Sequence, residues 1–198
     1  MPAILSNPYI HALHYEKIIM GIDPGTNNMG LGVIGVHRQD LHLVAMDVLK
    51  MDRLPNHALK LKKIFETVVR NIDAYHPDEL AIESPFFGKN VQSMLKLGRA
   101  QGVAIAAALH RDIPVFEYSP RKIKQSITGK GGASKEQVAA MLYRVLKIDG
   151  VPDNLDITDA LAAALCHFFQ GSKAGGQESK GYTGWKAFVA GNPGRISG

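Results

Sequence analysis

The pattern of apolar residues changes its period near residue 58, and this change limits the folds that are possible. Before that point lie three apolar, partly β-branched runs at residues 17–23, 29–36 and 41–50, separated by only a few residues. Such closely spaced runs predict an antiparallel meander of three strands. After it, apolar residues recur at helical spacing over residues 58–75, and a short strand follows at 79–83.

The remaining elements continue this alternation of helices and strands. Strands that are joined through helices run parallel and are buried on both faces. The sequence therefore predicts an α/β fold, a mixed five-stranded sheet with helices on both faces. The further predicted elements are helix 90–110, strand 114–118, helix 134–146 with a capping box of Ser134 and Gln137, and helix 156–169.

The chain is predicted to form one domain with a flanking segment at each end. Its 198 residues are 45% hydrophobic, which is enough for a single core. Residues 1–16 show no periodicity and are predicted to be a flexible extension of the domain at 17–170. Residues 171–198 are rich in Gly, Ser and Lys and are predicted to be a disordered tail.

Composition excludes several classes of protein. The lone cysteine, Cys166, cannot form an intramolecular disulfide or a Cys-rich zinc site. No apolar run of about 18 residues predicts a membrane span, and the first residues lack the pattern of a secretion signal. We expect a cytoplasmic protein without a membrane partner. The net charge of +5 is a mild indication of an anionic partner.

Carboxylates end two of the predicted strands. Asp23 follows the apolar residues of the first strand, and Glu83 follows those of the fourth. A carboxylate in such a place is partly desolvated and needs a cation, a metal ion or several hydrogen bonds. The alternative is that each is the first polar residue of a loop. Two such acids favour a shared site, because strand ends of this kind of sheet meet at one edge.

A second pair of carboxylates opens the last predicted helix. Asp156 and Asp159 are three positions apart and share one helix face. The alternative is that they cap the helix and interact with its dipole. The small apolar residues that follow would let this helix lie flat on the sheet. If it crosses the strands that carry Asp23 and Glu83, four carboxylates converge, and oxygen ligands favour Mg²⁺ or Mn²⁺ over zinc.

Basic residues lie close to these carboxylates in the sequence. No acid occurs between Glu117 and Glu136, and glycines separate the lysines there. The basic residues form either a solvated face or a surface that contacts phosphate. Acids that bind metal, flanked by bases that bind phosphate, are typical of a two-metal nuclease. The basic residues concerned are Lys89, Lys96, Arg99, Arg121, Lys122, Lys124, Lys130 and Lys135.

Two aromatic residues, Phe86 and Phe87, follow the Glu83 strand in a loop. Paired aromatics are usually core residues. These two precede Gly88 and Lys89, so the alternative is that at least one is exposed. An exposed ring beside phosphate-binding lysines would stack on an unpaired base or wedge open a DNA junction.

Five segments together resemble the RuvC family of Holliday-junction resolvases, in order along residues 17–169. No single segment is specific, but the combination is. The chain departs from the family pattern at Ser84 and Pro85, where a longer polar side chain is commoner after the glutamate. The segments are Gly21-Ile22-Asp23-Pro24-Gly25-Thr26, Ala81-Ile82-Glu83, Lys96-Leu97-Gly98-Arg99-Ala100-Gln101-Gly102-Val103, Val115-Phe116-Glu117-Tyr118, and Asp156 with Asp159-Ala160-Leu161-Ala162.

The resemblance implies a ribonuclease-H-like fold and a homodimeric, Mg²⁺-dependent endonuclease with two ions per active site. Such an enzyme nicks opposite strands of four-way junction DNA symmetrically, and its implied partner is the RuvA–RuvB branch-migration complex. Lys124 and Lys135 would be lysines of the active site, and Phe86 would contact bases. The carboxylates implied to be catalytic and metal-binding are Asp23, Glu83, Asp156 and Asp159.

Two other functions fit parts of the sequence. Actin-like and sugar-kinase ATPases also carry an Asp-x-Gly-Thr turn after their first strand, as Asp23 to Thr26 does here. They need a second, similar half to close over ATP, and this chain shows no internal repeat. A non-catalytic junction-binding protein of the same fold would gain nothing from four acids facing phosphate.

Overall fold

A computed structural model describes residues 14–38, 40–85, 90–148 and 155–174. In this part of the chain the strands form one five-stranded sheet in the order β3-β2-β1-β4-β5. β1, β2 and β3 are antiparallel neighbours, whereas β4 runs parallel to β1 and β5 parallel to β4. The predicted mixed sheet is confirmed. The strands are β1 (Lys17–Asp23), β2 (Asn28–His37), β3 (Asp40–Lys50), β4 (Glu79–Glu83) and β5 (Val115–Tyr118).

Helices cover both faces of the sheet, as predicted. α1 and α2 pack on one face, where Met20 and Ile82 point into their core. α3, α4 and α5 pack on the other, where Ile19 and Ala81 point. The alternation of neighbouring strand residues between the two cores follows from the two-residue period of a strand. The helices are α1 (His57–Tyr75), α2 (Val91–Leu109), α3 (Pro120–Thr128), α4 (Lys135–Leu146) and α5 (Leu155–Ala174).

Glycines in the central strands let α5 lie directly on the sheet. A Cβ on Gly21 would overlap the carbonyl oxygen of Ala160, and one on Gly32 would lie 2.7 Å from a methyl carbon of Leu161. Real Cβ atoms do not approach other atoms so closely, so any other residue at these positions would push the helix away. The prediction that a helix of small residues crosses the sheet is confirmed. This contact brings the first turns of α5 to the end of β1.

The sequence analysis assigned no helix to the segment that forms α3, because it considered residues 120–132 only for their basic residues and glycines. The local signals are nevertheless present. Ser119 caps the helix by accepting a hydrogen bond from Lys122 N, and Pro120 occupies the first turn. Gly129, with φ of 76°, ends it. The capping box of Ser134 and Gln137 at the start of α4 is confirmed.

Two observations concern the residues next to the flanking segments. Tyr15 precedes β1 and packs over Gly35 of β2, and α5 continues to Ala174. The assignment of 1–16 and 171–198 as a flexible extension and a disordered tail stays a prediction. None of the helices in the described ranges combines the length and the apolar character of a membrane span.

Candidate active site

Three acidic and two basic side chains line a cleft of about 250 Å³ at one edge of the sheet. They come from five different elements, which are β1, β4, α3, α4 and α5. Because all five elements also contribute residues to the hydrophobic core, the side chains are held by rigid structure. The five residues are Asp23, Glu83, Lys124, Lys135 and Asp159.

The sheet register places the two strand-end acids together. β1 and β4 are parallel neighbours in which Ile22 pairs with Ile82, so Asp23 and Glu83 follow at the same edge. Asp159 precedes Ala160, the residue whose carbonyl contacts Gly21, so the close packing of α5 brings it to that edge as well. The prediction that these acids converge is therefore met for three of the four. Asp156 belongs to the first turn of α5, and its side chain lies outside the described residues.

The electrostatics of the cleft show an excess of negative charge. Burial, and then the charge of Asp159, raise the pKa of Glu83 to about 7, although Lys135 and Lys124 act in the opposite direction. Lys135 Nζ lies 2.5 Å from Asp159 Oδ2. The two lysines therefore neutralise only part of the negative charge around Glu83. Binding of a further cation would relieve this repulsion.

The donor set of the cleft suits a hard divalent cation. The acids offer only carboxylate oxygens, which Mg²⁺, Mn²⁺ and Ca²⁺ prefer, and no sulfur or imidazole ligand lines the cleft. Within the described residues no three acidic, His or Cys side chains are close enough to form a complete metal site. Asp23, Glu83 and Asp159 would hold such a cation, and the burial and the Asp159 charge that raise the pKa of Glu83 favour positive charge at this place.

An apolar wall completes the cleft, and the sequence analysis did not identify it. It is formed by Pro120 and Ile123 of α3, Val138 of α4 and Ala162 of α5. Ile123 and Ile127 are four residues apart and both buried, a helical spacing that could have revealed α3 and its inner face. An apolar wall limits the access of water to the acids, which strengthens electrostatic interactions inside the cleft.

The other basic residues named from the sequence lie on two sides of this edge. Arg121, Lys122 and Lys130 are exposed on or just after α3, beside the cleft. Arg99 is exposed on α2, which covers the opposite face of the sheet. Phe86 and Lys89 lie outside the described residues. The predicted basic surface is thus divided between the two faces.

Comparison with known proteins shows the family. The family described as "Crossover junction endodeoxyribonuclease RuvC" matches residues 19–167. This chain belongs to the RuvC family. It is a crossover junction endodeoxyribonuclease, a hydrolase of DNA, as the resemblance of its sequence motifs implied. The family uses divalent metal ions, which agrees with the oxygen ligands of the cleft.

Curated RuvC proteins are similar over nearly the whole chain. The RuvC of Bacteroides fragilis is 58% identical over 183 residues, which are 91% of this chain and 96% of that protein. The RuvC of Christiangramia forsetii is 57% identical over 184 residues, or 93% of this chain and 95% of that one.

Solved structures confirm the fold class. The structure of Thermus thermophilus RuvC in complex with a Holliday junction substrate is 31% identical, covers 80% of this chain and 97% of that one, and superimposes with a TM-score of 0.76. The yeast mitochondrial Holliday junction resolvase Ydc2 is only 12% identical, with a TM-score of 0.62 over 85% of each chain, and shares the fold.

Proposed function

We propose that this RuvC-family enzyme resolves Holliday junctions by paired symmetric nicks, and that the acid-lined cleft is its active site. The observation that carries the proposal is the convergence of Asp23, Glu83 and Asp159 beside Lys124 and Lys135 within the matched residues. The similar protein from Thermus thermophilus is described in complex with a Holliday junction substrate, and we extend that substrate to this chain. Its biological setting would be homologous recombination and DNA repair.

The acids would act as metal ligands. Asp23 would contact both of two Mg²⁺ ions, Glu83 would contact one, and Asp156 with Asp159 would complete the ligand set, with Mn²⁺ as a plausible substitute. Ions bound there would polarise the phosphate and lower the pKa of a bound water molecule. Burial and the charge of Asp159, which raise the pKa of Glu83, support this role, because a divalent cation would stabilise the charged carboxylate.

The remaining side chains of the cleft would support the chemistry directly. Water attacks the phosphorus in line, the bond from phosphorus to the 3′ oxygen breaks, and the products are a 5′-phosphate and a 3′-hydroxyl. Lys124 and Lys135 would offset the charge that develops on the phosphate, an effect worth several kcal/mol in a site that excludes water. The apolar wall formed by Ile123 and Val138 would provide that exclusion.

The DNA strand would continue from the cleft onto the exposed basic residues around α3. Arg121, Lys122 and Lys130 would contact phosphates next to the scissile one, with Lys124 and Lys135 nearest the cut. The resemblance adds Phe86, which would contact bases at the centre of the junction, and Lys89 and Arg99 as further DNA contacts.

Symmetric cleavage of two strands requires two active sites, so we propose a homodimer. Helix α2 supports this, because Val91 and Leu95 are 67% and 51% exposed on it. On the same helix Gly98 and Gly102 have nothing within 4 Å of a Cβ built on them, so they leave space for a partner. The proposed partner in the cell is the RuvA–RuvB branch-migration complex.

A synthetic four-way DNA junction with each arm labelled in turn tests the proposal. The wild-type protein is expected to make paired nicks at symmetric positions with Mg²⁺ and none with EDTA. The Asp23→Asn variant is expected to bind the junction and leave it uncut, since the amide keeps the size and shape of the side chain and removes only its charge. Ligation of the products by DNA ligase checks the 5′-phosphate and 3′-hydroxyl ends.

Cleavage that survives the Asp23→Asn substitution would contradict the assignment of the active site. Tight binding without nicks by the wild-type protein would point to a binding protein, and the absence of both binding and nicks would contradict the proposed substrate.

A further inference from the structure

A second polar cleft, of about 340 Å³, lies on the opposite face of the sheet from Lys124 and Lys135. It is formed where the β1–β2 turn meets the beginnings of α1 and α2, and it includes Thr26, Asn27, Asn56, Lys60 and Lys96. Thr26 follows Asp23 by three residues, so this second cleft and the active site share one edge of the sheet. The sequence analysis assigned no role to most of these residues.

The charge in the second cleft is entirely positive. Its lining contains Lys60, Lys96 and His57 and no acidic residue. Burial lowers the pKa of His57, and the positive charges of Arg99, Lys96 and Lys60 lower it further. The charges of Arg99, Lys96 and Lys60 therefore act on the same side chain, His57, and no acidic residue lines the cleft to compensate them. Such an arrangement favours the binding of an anion there.

One of these lysines is held inside the second cleft. Lys60 Nζ donates a 2.7 Å hydrogen bond to Asn27 Oδ1, which ties α1 to the β1–β2 turn. The next lysines of the same helix, Lys62 and Lys63, are exposed, and Lys62 pairs with Glu66 at 3.6 Å. Lys60 thus differs from an ordinary solvated lysine, because its amino group is already positioned for a ligand.

Both helices add to the positive potential. α1 begins at the cap Asn56 and α2 at the cap Asn90, and neither helix has an acidic residue in its first turn. In contrast, α4 carries Glu136 in its first turn. A helix N-terminus carries a partial positive charge and backbone N–H groups that bind anions. Two such ends without an acid in the first turn reinforce the charge of the lysines.

His57 provides a further indication. Its Nε2 atom is shielded from solvent and has no hydrogen-bond partner in the described part of the chain. A buried polar atom without a partner is unfavourable. A ligand oxygen that reached His57 after a small movement of the ring would satisfy it.

We propose that this second cleft binds a backbone phosphate of the junction DNA, distinct from the scissile phosphate. The inference rests on the proposed function, since it requires that the enzyme binds a junction. The acids would then lie between two phosphate contacts, with Lys124 and Lys135 on one face of the sheet and Lys60 and Lys96 on the other. The DNA strand would be held on both sides of the bond that is cut.

Salt dependence of junction binding tests the proposal. Lys60→Met, Lys96→Met, the double variant and the control Lys63→Met are each made in the Asp23→Asn background, which prevents cleavage. Since both lysines would hold one phosphate, the double variant should lose about one unit of the slope of log K against log salt, and not two. Its dissociation constant should rise about tenfold. The control should change neither.

A DNA substitution identifies the phosphate itself. A neutral methylphosphonate is placed at successive positions of the strand that is cut. One position away from the scissile phosphate should weaken binding by the parent protein and have no effect on the double variant. An effect of the methylphosphonate that is present in the parent and absent in the double variant indicates a direct contact between that phosphate and the two lysines. Thermal unfolding of each variant checks that the fold is retained.

Three outcomes separate this inference from the proposed function. If the parent binds the junction tightly and the double variant keeps the same slope, the second cleft holds no phosphate while the proposed function survives. If every methylphosphonate acts equally on the parent and the double variant, the contact is also refuted. If the parent does not bind the junction, the proposed function itself fails.

Discussion

The two ends of strand β4 carry the same residue type and have opposite electrostatics. The strand is five residues long. Glu79 begins it and Glu83 ends it, so the two carboxylates lie at opposite ends of the strand. Burial alone would raise the pKa of Glu79, but hydrogen bonds from Lys17 and His167 outweigh burial and hold that pKa below its usual value. At the other end burial and Asp159 raise the pKa of Glu83 to about 7.

Two basic side chains bind one carboxylate oxygen of Glu79. Lys17 Nζ lies 2.5 Å from Glu79 Oε2, and His167 Nε2 bonds to the same oxygen. The other ring nitrogen of His167 bonds to the Tyr118 hydroxyl at 2.6 Å. Such a network stabilises the fold. The Glu83 end also combines acids with lysines, yet there burial and the charge of Asp159 outweigh the lysines and raise the pKa of Glu83. This imbalance is what supports the proposed metal site.

The largest difference between the two ends should be in catalysis. Glu83→Gln is expected to reduce junction cleavage about 10³-fold or more, because it removes a charged ligand from the proposed metal site. Glu79→Gln is expected to change the cleavage rate little, because Glu79 lies at the opposite edge. Single-turnover cleavage of a labelled junction at saturating protein measures both. Equal losses of cleavage rate in the two variants would contradict the proposed difference between the two ends of β4.

Stability should change in opposite directions. At pH 8 in EDTA, Glu79→Gln should destabilise the protein by about 1–2 kcal/mol, because charge-assisted hydrogen bonds to Lys17 and His167 are lost. Glu83→Gln should stabilise it by about 1–2 kcal/mol, because the repulsion from Asp159 disappears. Thermal unfolding would show this as a change of about 2–4 °C per kcal/mol. A destabilised Glu83→Gln protein would contradict the account.

The pH dependence of stability sharpens the same contrast. With the pKa of Glu83 raised from 4.5 to about 7, the folded state binds this proton more tightly than the unfolded state does. The free energy of unfolding should therefore fall as pH rises through that window and level off above it. Glu79, whose pKa is lowered, contributes stability that is present above the usual pKa of a glutamate and is lost in more acidic solution.

Denaturant unfolding in EDTA at a series of pH values measures this dependence. Subtraction of the Glu83→Gln curve isolates the contribution of Glu83. A wild-type curve parallel to that of the variant between pH 5 and 7 would show that Glu83 has an ordinary pKa.

The smallest predicted effect concerns the lysines of the two ends. Lys124→Ala should lower the salt slope of junction binding by about one, because this lysine would contact one phosphate in the acid-lined cleft. Lys17→Ala, at the Glu79 end, should leave the slope unchanged and lower the stability instead. An unchanged slope in the Lys124→Ala variant would mean that Lys124 contacts no phosphate.

Much of the fold could be predicted because the spacing of apolar residues within each short segment indicates a strand or a helix. The bounds of β1 and β4 follow from apolar runs that end in a charge, at Asp23 and Glu83. The convergence of Asp159 with them could be anticipated from the small residues after it. α3 was missed because that segment was considered only for its basic residues and glycines, and not for the buried pair Ile123 and Ile127.

The second cleft could not be found from the sequence because its parts are far apart along the chain. Asn27, Lys60 and Lys96 meet only through the packing of α1 and α2 against the β1–β2 turn. On its own helix Lys60 looks like one more lysine of a solvated face. The hydrogen bonds of His167 to Glu79 and Tyr118 likewise join residues from three elements, so no local pattern indicates them.

The central claim is that nearby lysines compensate the carboxylate at the end of β4 only in part, whereas Lys17 and His167 outweigh the burial of the one at its beginning. Carbon-13 NMR of the glutamate carboxyl groups, titrated with pH in EDTA and again with Mg²⁺, measures both ends of the strand at once, and Glu→Gln variants assign the signals. We predict that Glu83 titrates near pH 7 in EDTA and at clearly lower pH with Mg²⁺. Glu79 should titrate below its usual range in both solutions. Similar, ordinary titrations of the two residues, or a Glu83 signal that does not respond to Mg²⁺, would contradict the account.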